Sequence, residues 1–179
     1  SQFELAMLSE VSQRRADDLQ KSLVCAVEAG MVLSVNPSEF RFTHDRVQQA
    51  AYSLLSESEK TAIHGKIGKQ LARKFPLEKD DVKLFEITNQ LNLARDAVLD
   101  VAERADLAHL NLQAGIKAKN SAAYGPAFGY LEIGIGLLSA ADWTKQYELS
   151  LSLHEEAAEA AYLSGRLEET EKWIQETLS

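Results

Sequence analysis

Hydrophobic positions follow a helical period along most of the chain, and one short stretch departs from it. Over 16–29 the apolar residues recur on one helical face, and Gly30 stands where a left-handed C-terminal cap is favoured. Residues 31–35 and 40–43 are rich in β-forming residues, and the turn-forming segment 36–39 (NPSE) separates them. This pattern predicts a helix followed by a small β-hairpin.

After the hairpin the pattern predicts helices only. Thr43 is expected to cap a helix with the apolar stripe Val47, Ala50, Ala51, Leu54 and Leu55. Ser56 and Glu59 have the spacing of a capping box and so predict the start of the next helix. Further helices are expected over about 80–94, 102–119, 123–139, 143–163 and 166–178, with a short one over 3–9.

Small residues in the last third recur at a constant offset of 43 residues. Gly115, Ala118, Ala122 and Ala127 are followed by Ala158, Ala161, Gly165 and Thr170. Small side chains let paired helices approach closely, which stacked helical-pair repeats require. The period exceeds the roughly 34 residues of a tetratricopeptide repeat, so we expect a tetratricopeptide-like array with longer helices. Ser121 and Asp142 are the expected N-caps of two of its helices.

The predicted fold class is therefore all-α, with a winged-helix-like N-terminal part that contains one small β-hairpin, followed by a tetratricopeptide-like α-α superhelix. The expected division is 1–55 for the winged-helix-like remainder, 56–100 for connecting helices and 101–179 for the helical repeats. The helical share should exceed about 65%. The chain starts and stops within patterns, which suggests a piece of a longer protein.

Composition narrows the class of protein. Hydrophobic residues make up 45% and charged residues 26% of the chain, as in ordinary globular domains. The single cysteine, Cys25, excludes an internal disulfide, and no secretory or membrane-spanning pattern occurs, so we expect a cytoplasmic location. The net charge is −8, and residues 141–179 hold nine acids and three bases. Nucleic-acid binding therefore has little electrostatic support, and the acids of helix 16–29 argue against DNA reading.

The most informative segment is 40–55, FRFTHDRVQQAAYSLL. With LFEITNQLN and LNLQAGIKAKNSAAYGPAFGYLEIGIGLL after it, the segment resembles the helical half of the predicted ATPase module in bacterial multidomain hybrid sensor kinases. Those kinases belong to the signal-transduction ATPases with numerous domains, the STAND class. The resemblance covers about 19–178, and HDRVQQAAY is its distinctive string.

The resemblance implies a non-catalytic regulatory and scaffold segment of a sensor histidine kinase or serine/threonine kinase. ATP or ADP with magnesium would bind a core elsewhere in the parent protein, and the partners would be other domains of the same polypeptide. His44 and Asp45 match the position of the Met-His-Asp motif of related switch proteins, in which the histidine contacts ADP phosphate; Thr43 replaces the methionine. An alternative is part of a STAND-type transcriptional regulator.

Each candidate residue also has a purely structural interpretation. Asp45 would serve as ordinary capping chemistry in a first helical turn, and His44 would have a local partner. Tyr124, Tyr162 and Trp173 are candidates for partner binding or for packing between repeats. His64 is expected to be solvated, and Cys25 is expected to pack beside the buried stripe. No P-loop occurs, and the histidines lack metal-ligand spacing, so no catalytic or metal residue is expected.

Overall fold

The computed structural model describes residues 2–75, 81–97, 100–139 and 142–178. Helices account for 77% of this part of the chain, and a small antiparallel sheet of three strands lies near the N-terminus. The prediction of an all-α fold with a small β element is confirmed.

The N-terminal part consists of a short strand, two helices, a hairpin and a third helix. Its elements are β1 (Gln2–Glu4), α1 (Leu5–Ser12), α2 (Ala16–Glu28), β2 (Val32–Asn36), β3 (Glu39–Phe42) and α3 (Asp45–Ser53). The strand order is β1-β3-β2, so the predicted hairpin is present and β1 adds a third strand along β3. The expected helix over 3–9 is therefore wrong in its first residues, where Phe3 pairs with Phe40. The helix–helix–hairpin order fits the winged-helix-like start.

Local hydrogen bonds explain why the hairpin follows α2. Gly30 adopts a left-handed conformation with φ of 70°, and the Met31 amide donates to the Ala26 carbonyl at 2.9 Å, which closes the helix end. In the turn, the Asn36 side chain accepts from the Ser38 amide at 2.9 Å. The sheet then buries Phe40 against α2.

Within the ranges that the structure describes, seven further helices follow. They are α4 (Glu57–Lys74), α5 (Asp81–Asn92), α6 (Val101–Asn120), α7 (Tyr124–Gly136), α8 (Asp142–Lys145), α9 (Tyr147–Leu163) and α10 (Leu167–Leu178), with a 3-10 turn at Arg95–Ala97. The predicted capping box is confirmed at the start of α4, where Ser56 and Glu59 bond reciprocally. One hydrophobic core runs through these helices from Leu71 to Trp173.

The 43-residue repeat corresponds to two helix pairs with matching turns. The pairs are α6 with α7 and α9 with α10, and α9 packs on α7. Ala122 and Gly165 occupy equivalent positions, and both are left-handed, with φ of 59° and 77°. The amide after each donates back to Ala118 or Ala161 at 2.9 Å. Ala122 and Gly165 therefore mark equivalent turns between the helices of the two pairs.

Three further expected caps or helices differ from the structure. Ser121 does not cap α7, because its hydroxyl donates to the Lys117 carbonyl of the preceding helix at 3.1 Å. The single helix expected over 143–163 is broken at Gln146, which has φ of −135°. Thr43 does not cap α3 either, since His44 holds the N-cap position. The expected capping side chain of Asp142 lies outside the described side chains.

Candidate functional site

The structure places His44 and Asp45 side by side at the exposed start of α3. His44 is the N-cap residue in an extended conformation, and its side chain makes no capping hydrogen bond. Asp45 lies in the first turn, where a carboxylate interacts favourably with the helix dipole. The described geometry thus fits the capping interpretation of Asp45 and leaves the His44 imidazole open to solvent.

Hydrogen bonds to the hairpin fix the approach to this helix start. The Thr43 hydroxyl donates to the Gly30 carbonyl at 2.9 Å and lies 3.1 Å from the Met31 carbonyl oxygen. The Thr43 amide also donates to the Met31 carbonyl at 3.1 Å. His44 therefore follows a residue that is pinned to the base of the hairpin.

The apolar stripe of α3 is largely uncovered. No residue of this helix is buried, and Leu54 just beyond its end is 86% exposed. The pattern of residues 47–55 predicted a helix, and the structure has one over Asp45–Ser53. An exposed apolar helix beside His44 is a surface on which another protein surface could pack.

A chain of side-chain hydrogen bonds connects the end of α3 to the helical array. The Tyr52 hydroxyl and His64 Nε2 are 2.8 Å apart, and His64 Nδ1 is 2.7 Å from Gln90 Oε1. Because the Gln90 oxygen can only accept, Nδ1 must carry the hydrogen, and in a neutral imidazole Nε2 then accepts from Tyr52. The expectation that His64 is solvated is wrong: it is half-buried and joins α3, α4 and α5.

We call the three residues Tyr52, His64 and Gln90 the α3–α5 link. Lys60 lies beside the Tyr52 end of this link. The Lys60 ammonium lies 4.9 Å from the centre of the Tyr52 ring and 2.6 Å from Glu57. The hydrogen bond to Glu57 is the main cause that raises the pKa of Lys60. The charged Lys60 ammonium therefore lies over the Tyr52 ring in a cation–π contact.

The three aromatic partner candidates have different environments. Trp173 is 5% exposed and meets the His154 ring edge-on at 5.5 Å between centroids, which fits packing between helices. Tyr162 is 64% exposed, and Tyr124 is half-buried. No ring contact within the described residues joins the three, so they do not form one aromatic surface.

A groove of about 900 Å³ lies between α4, α5 and α6. Its floor includes Leu84 and Leu107, and its edge carries an ion pair of 2.6 Å between Lys69 and Glu103. The lining also carries four other ionisable side chains, namely Arg73, Asp106, His109 and Lys117.

Two observations concern metal-ligating residues and the single cysteine. Among those residues, no group of three His, Cys, Asp or Glu side chains could hold a metal ion. Cys25 is exposed, so the expectation that it packs beside the buried stripe is wrong. None of the helices that the structure describes is long and apolar enough to cross a membrane.

Comparison with known proteins relates the chain to a segment of a signalling kinase. No family model matches the chain, and no solved structure matches it. The chain is 28% identical over 167 residues to hybrid signal transduction histidine kinase G of Dictyostelium discoideum. The match takes in 80% of this chain but 5% of that protein. The chain is thus similar to a small segment of a multidomain hybrid histidine kinase, in agreement with the expected resemblance to sensor kinases.

Proposed function

We propose that this chain is a non-catalytic regulatory and scaffold segment of a multidomain signalling kinase, in which it relays a conformational change between domains. The similarity to a hybrid histidine kinase supports the signalling context. The predominance of paired helices supports a role in contact, because stacked helical pairs present extended surfaces to partners. The partners in this proposal are other domains of the same polypeptide.

The finer proposal is that the parent protein contains a STAND-type ATPase core, which binds ATP or ADP with magnesium outside this chain. His44 would then donate to a phosphate oxygen, helped by the amides at the start of α3. The open His44 side chain and the uncovered stripe of α3 support this proposal, because a nucleotide-bearing core could cover both.

The observation that carries the relay is the α3–α5 link. A shift of α3 changes the position of Tyr52, and the hydrogen bonds through His64 pass that change to α4 and α5. Two packings of α3, one linked and one released, would be a two-state element whose populations the bound nucleotide biases. The released packing would free the array to change its contacts with sensor or kinase domains.

The test is made in the full-length protein with Tyr52→Phe and His44→Leu. Tyr52→Phe removes only the hydroxyl of the link, so the kinase output should lose its dependence on the ATP to ADP ratio while nucleotide occupancy stays unchanged. His44→Leu should change nucleotide occupancy as well. Autophosphorylation and bound nucleotide are measured for both variants.

Tyr147→Phe is the matched control, since Tyr147 is an exposed tyrosine on α9, away from the link. It should leave both readouts unchanged. If Tyr52→Phe and His44→Leu also leave output and occupancy at the wild-type level, the relay and the nucleotide-sensing role are both wrong. A change in occupancy with Tyr52→Phe alone would argue that the link supports binding rather than relay.

A further inference from the structure

The last helix pair exposes an apolar surface on its outer side. Leu167, Ile174 and Leu178 are spaced by seven and four residues, which puts them on one side of α10. They are 64%, 46% and 82% exposed. With Tyr162 of α9 and Glu171 of α10, which are also exposed, they form what we call the outer face.

The internal repeat allows the outer face to be compared with the equivalent positions of the preceding helix pair, α6 and α7. Subtracting 43 gives the equivalent positions of the outer face, namely Lys119, Tyr124, Phe128, Leu131 and Ile135. All five are buried or half-buried, and Leu131 is 0% exposed whereas its equivalent Ile174 is 46% exposed. The same places in the repeat are therefore covered in one pair and open in the next.

Contacts identify the element that covers the first set. Lys119 of α6 forms an ion pair of 2.7 Å with Glu156 of α9. The Arg166 guanidinium, just before α10, lies 4.8 Å from the centre of the Phe128 ring. A Cβ added at Gly134 of α7 would meet the Leu153 side chain of α9 at 2.6 Å. Helix α9, together with Arg166 in the turn before α10, thus covers the α6–α7 pair.

We propose that the outer face is the docking surface for one further antiparallel helix pair, whose first helix packs on the α9–α10 pair as α9 packs on the α6–α7 pair. A terminal repeat needs a polar outer side to remain soluble, and this side is apolar. Among the exposed residues of the face, four are apolar or aromatic and one is Glu171.

Charge specifies the chemistry of the incoming pair. Glu171 occupies the position of Phe128, over which the basic Arg166 of the next pair lies. Residues 141–179 also hold six more acids than bases. The incoming contact side should therefore combine apolar side chains with at least one Arg or Lys that reaches Glu171. This inference rests on the proposed function only in placing the chain within a longer polypeptide.

Hydrogen exchange followed by mass spectrometry tests the proposal in the full-length protein. Amides of 167–178 should exchange about tenfold more slowly there than in the 179-residue chain, because the added pair suppresses local opening. Ile174→Glu and Glu171→Lys in the full-length protein should return the exchange of this segment to the rate of the shorter chain. Both positions are exposed, so neither change should unfold the described chain.

Val101→Glu is the control, since Val101 is an exposed valine on α6 outside the outer face. It should leave the exchange of 167–178 unchanged. Equal exchange of 167–178 in the full-length protein and the 179-residue chain would overturn the proposal. The proposal would also be overturned if the 179-residue chain sediments as a dimer and Ile174→Glu dissociates that dimer, because a second copy of the chain would then occupy the outer face. Kinase output plays no part in this readout, so its failure is distinct from failure of the relay.

Discussion

The buried amide pair between α5 and α6 gives the sharpest test of how the array is held together. Asn92 and Asn111 each donate to the other's side-chain oxygen at 2.8 Å, and Asn111 also donates to the Leu107 carbonyl at 2.9 Å. Asn111 is 0% and Asn92 is 6% exposed. Asn111→Ala removes one half of this pair and leaves the Asn92 amide buried without its partner.

The magnitude follows from that orphaned amide. A buried polar group that loses its partner costs about 1–3 kcal/mol, and the small cavity left by Asn111 adds to this cost. We therefore expect Asn111→Ala to lower the free energy of unfolding by about 2–4 kcal/mol. Asn92→Ala should cost less, because Asn111 keeps its bond to Leu107. The double variant leaves neither amide orphaned, so its cost should fall below the sum by about 1–3 kcal/mol.

Urea unfolding measures all four free energies, followed both by tryptophan fluorescence and by far-ultraviolet circular dichroism. The two transitions must coincide for the values to be comparable. Asn120→Ala is the control, since Asn120 is exposed at the end of α6 and should change stability by less than about 0.5 kcal/mol. If the two single costs add within about 0.5 kcal/mol, the pair is not coupled and the reasoning is refuted.

Three further predictions concern turns, an ion pair and a cap. Gly165→Ala should destabilise the chain by about 1–2 kcal/mol, because Gly165 has a left-handed backbone conformation. Gly129→Ala should stabilise the chain by about 0.5–1 kcal/mol, because Gly129 lies inside α7 with open space where a Cβ would be. Thermal unfolding compares the two variants. Burial would lower the pKa of Lys119, but hydrogen bonds to Glu156 and Glu159 outweigh it and raise that pKa. The stabilisation that the charged Lys119 gives is thus complete below its unfolded-state pKa of about 10.4, and it is lost as the pH rises through its folded-state pKa. The urea midpoint of the wild type should therefore fall above about pH 10, and Lys119→Met should make that fall less steep. Ser56→Ala should cost about 1 kcal/mol in urea unfolding, because it opens the capping box of α4.

Specific outcomes would contradict these three predictions. Equal effects of Gly165→Ala and Gly129→Ala would mean that backbone conformation does not govern the turn. An unchanged alkaline profile in Lys119→Met would mean that the cross-pair ion pair contributes nothing to stability. A Ser56→Ala variant as stable as the wild type would mean that water replaces the cap without loss.

Features set by neighbouring residues could be predicted from the sequence. The Ser56–Glu59 box depends on atoms three residues apart, and the cap at Gly30 needs a left-handed conformation that a residue without Cβ adopts easily. The 43-residue offset was also informative, because equivalent turns need equivalent small residues.

Features set by distant neighbours could not be predicted. Strand β1 is three residues long and exists because β3, almost forty residues later, pairs with it. His64 was expected to be solvated because it lies opposite an apolar stripe, yet hydrogen bonds to Tyr52 of α3 and Gln90 of α5 leave it half-buried. Leu54 shows the converse, since a helical period predicts a stripe without showing whether anything covers it.

The burial of polar contacts indicates which contact between helices separates first and which stays intact. Sliding α5 against α6 would separate Asn92 from Asn111 in a buried site, where orphaned amides cost about 1–3 kcal/mol each. Releasing Tyr52 from His64 exposes partly solvated groups that water can satisfy, so the net cost is closer to about 0.5–1.5 kcal/mol. A force on α3 should therefore break the Tyr52–His64 hydrogen bond before it disturbs the α5–α6 contact. The helical array would then respond as a rigid body, which is the behaviour that a relay between domains requires.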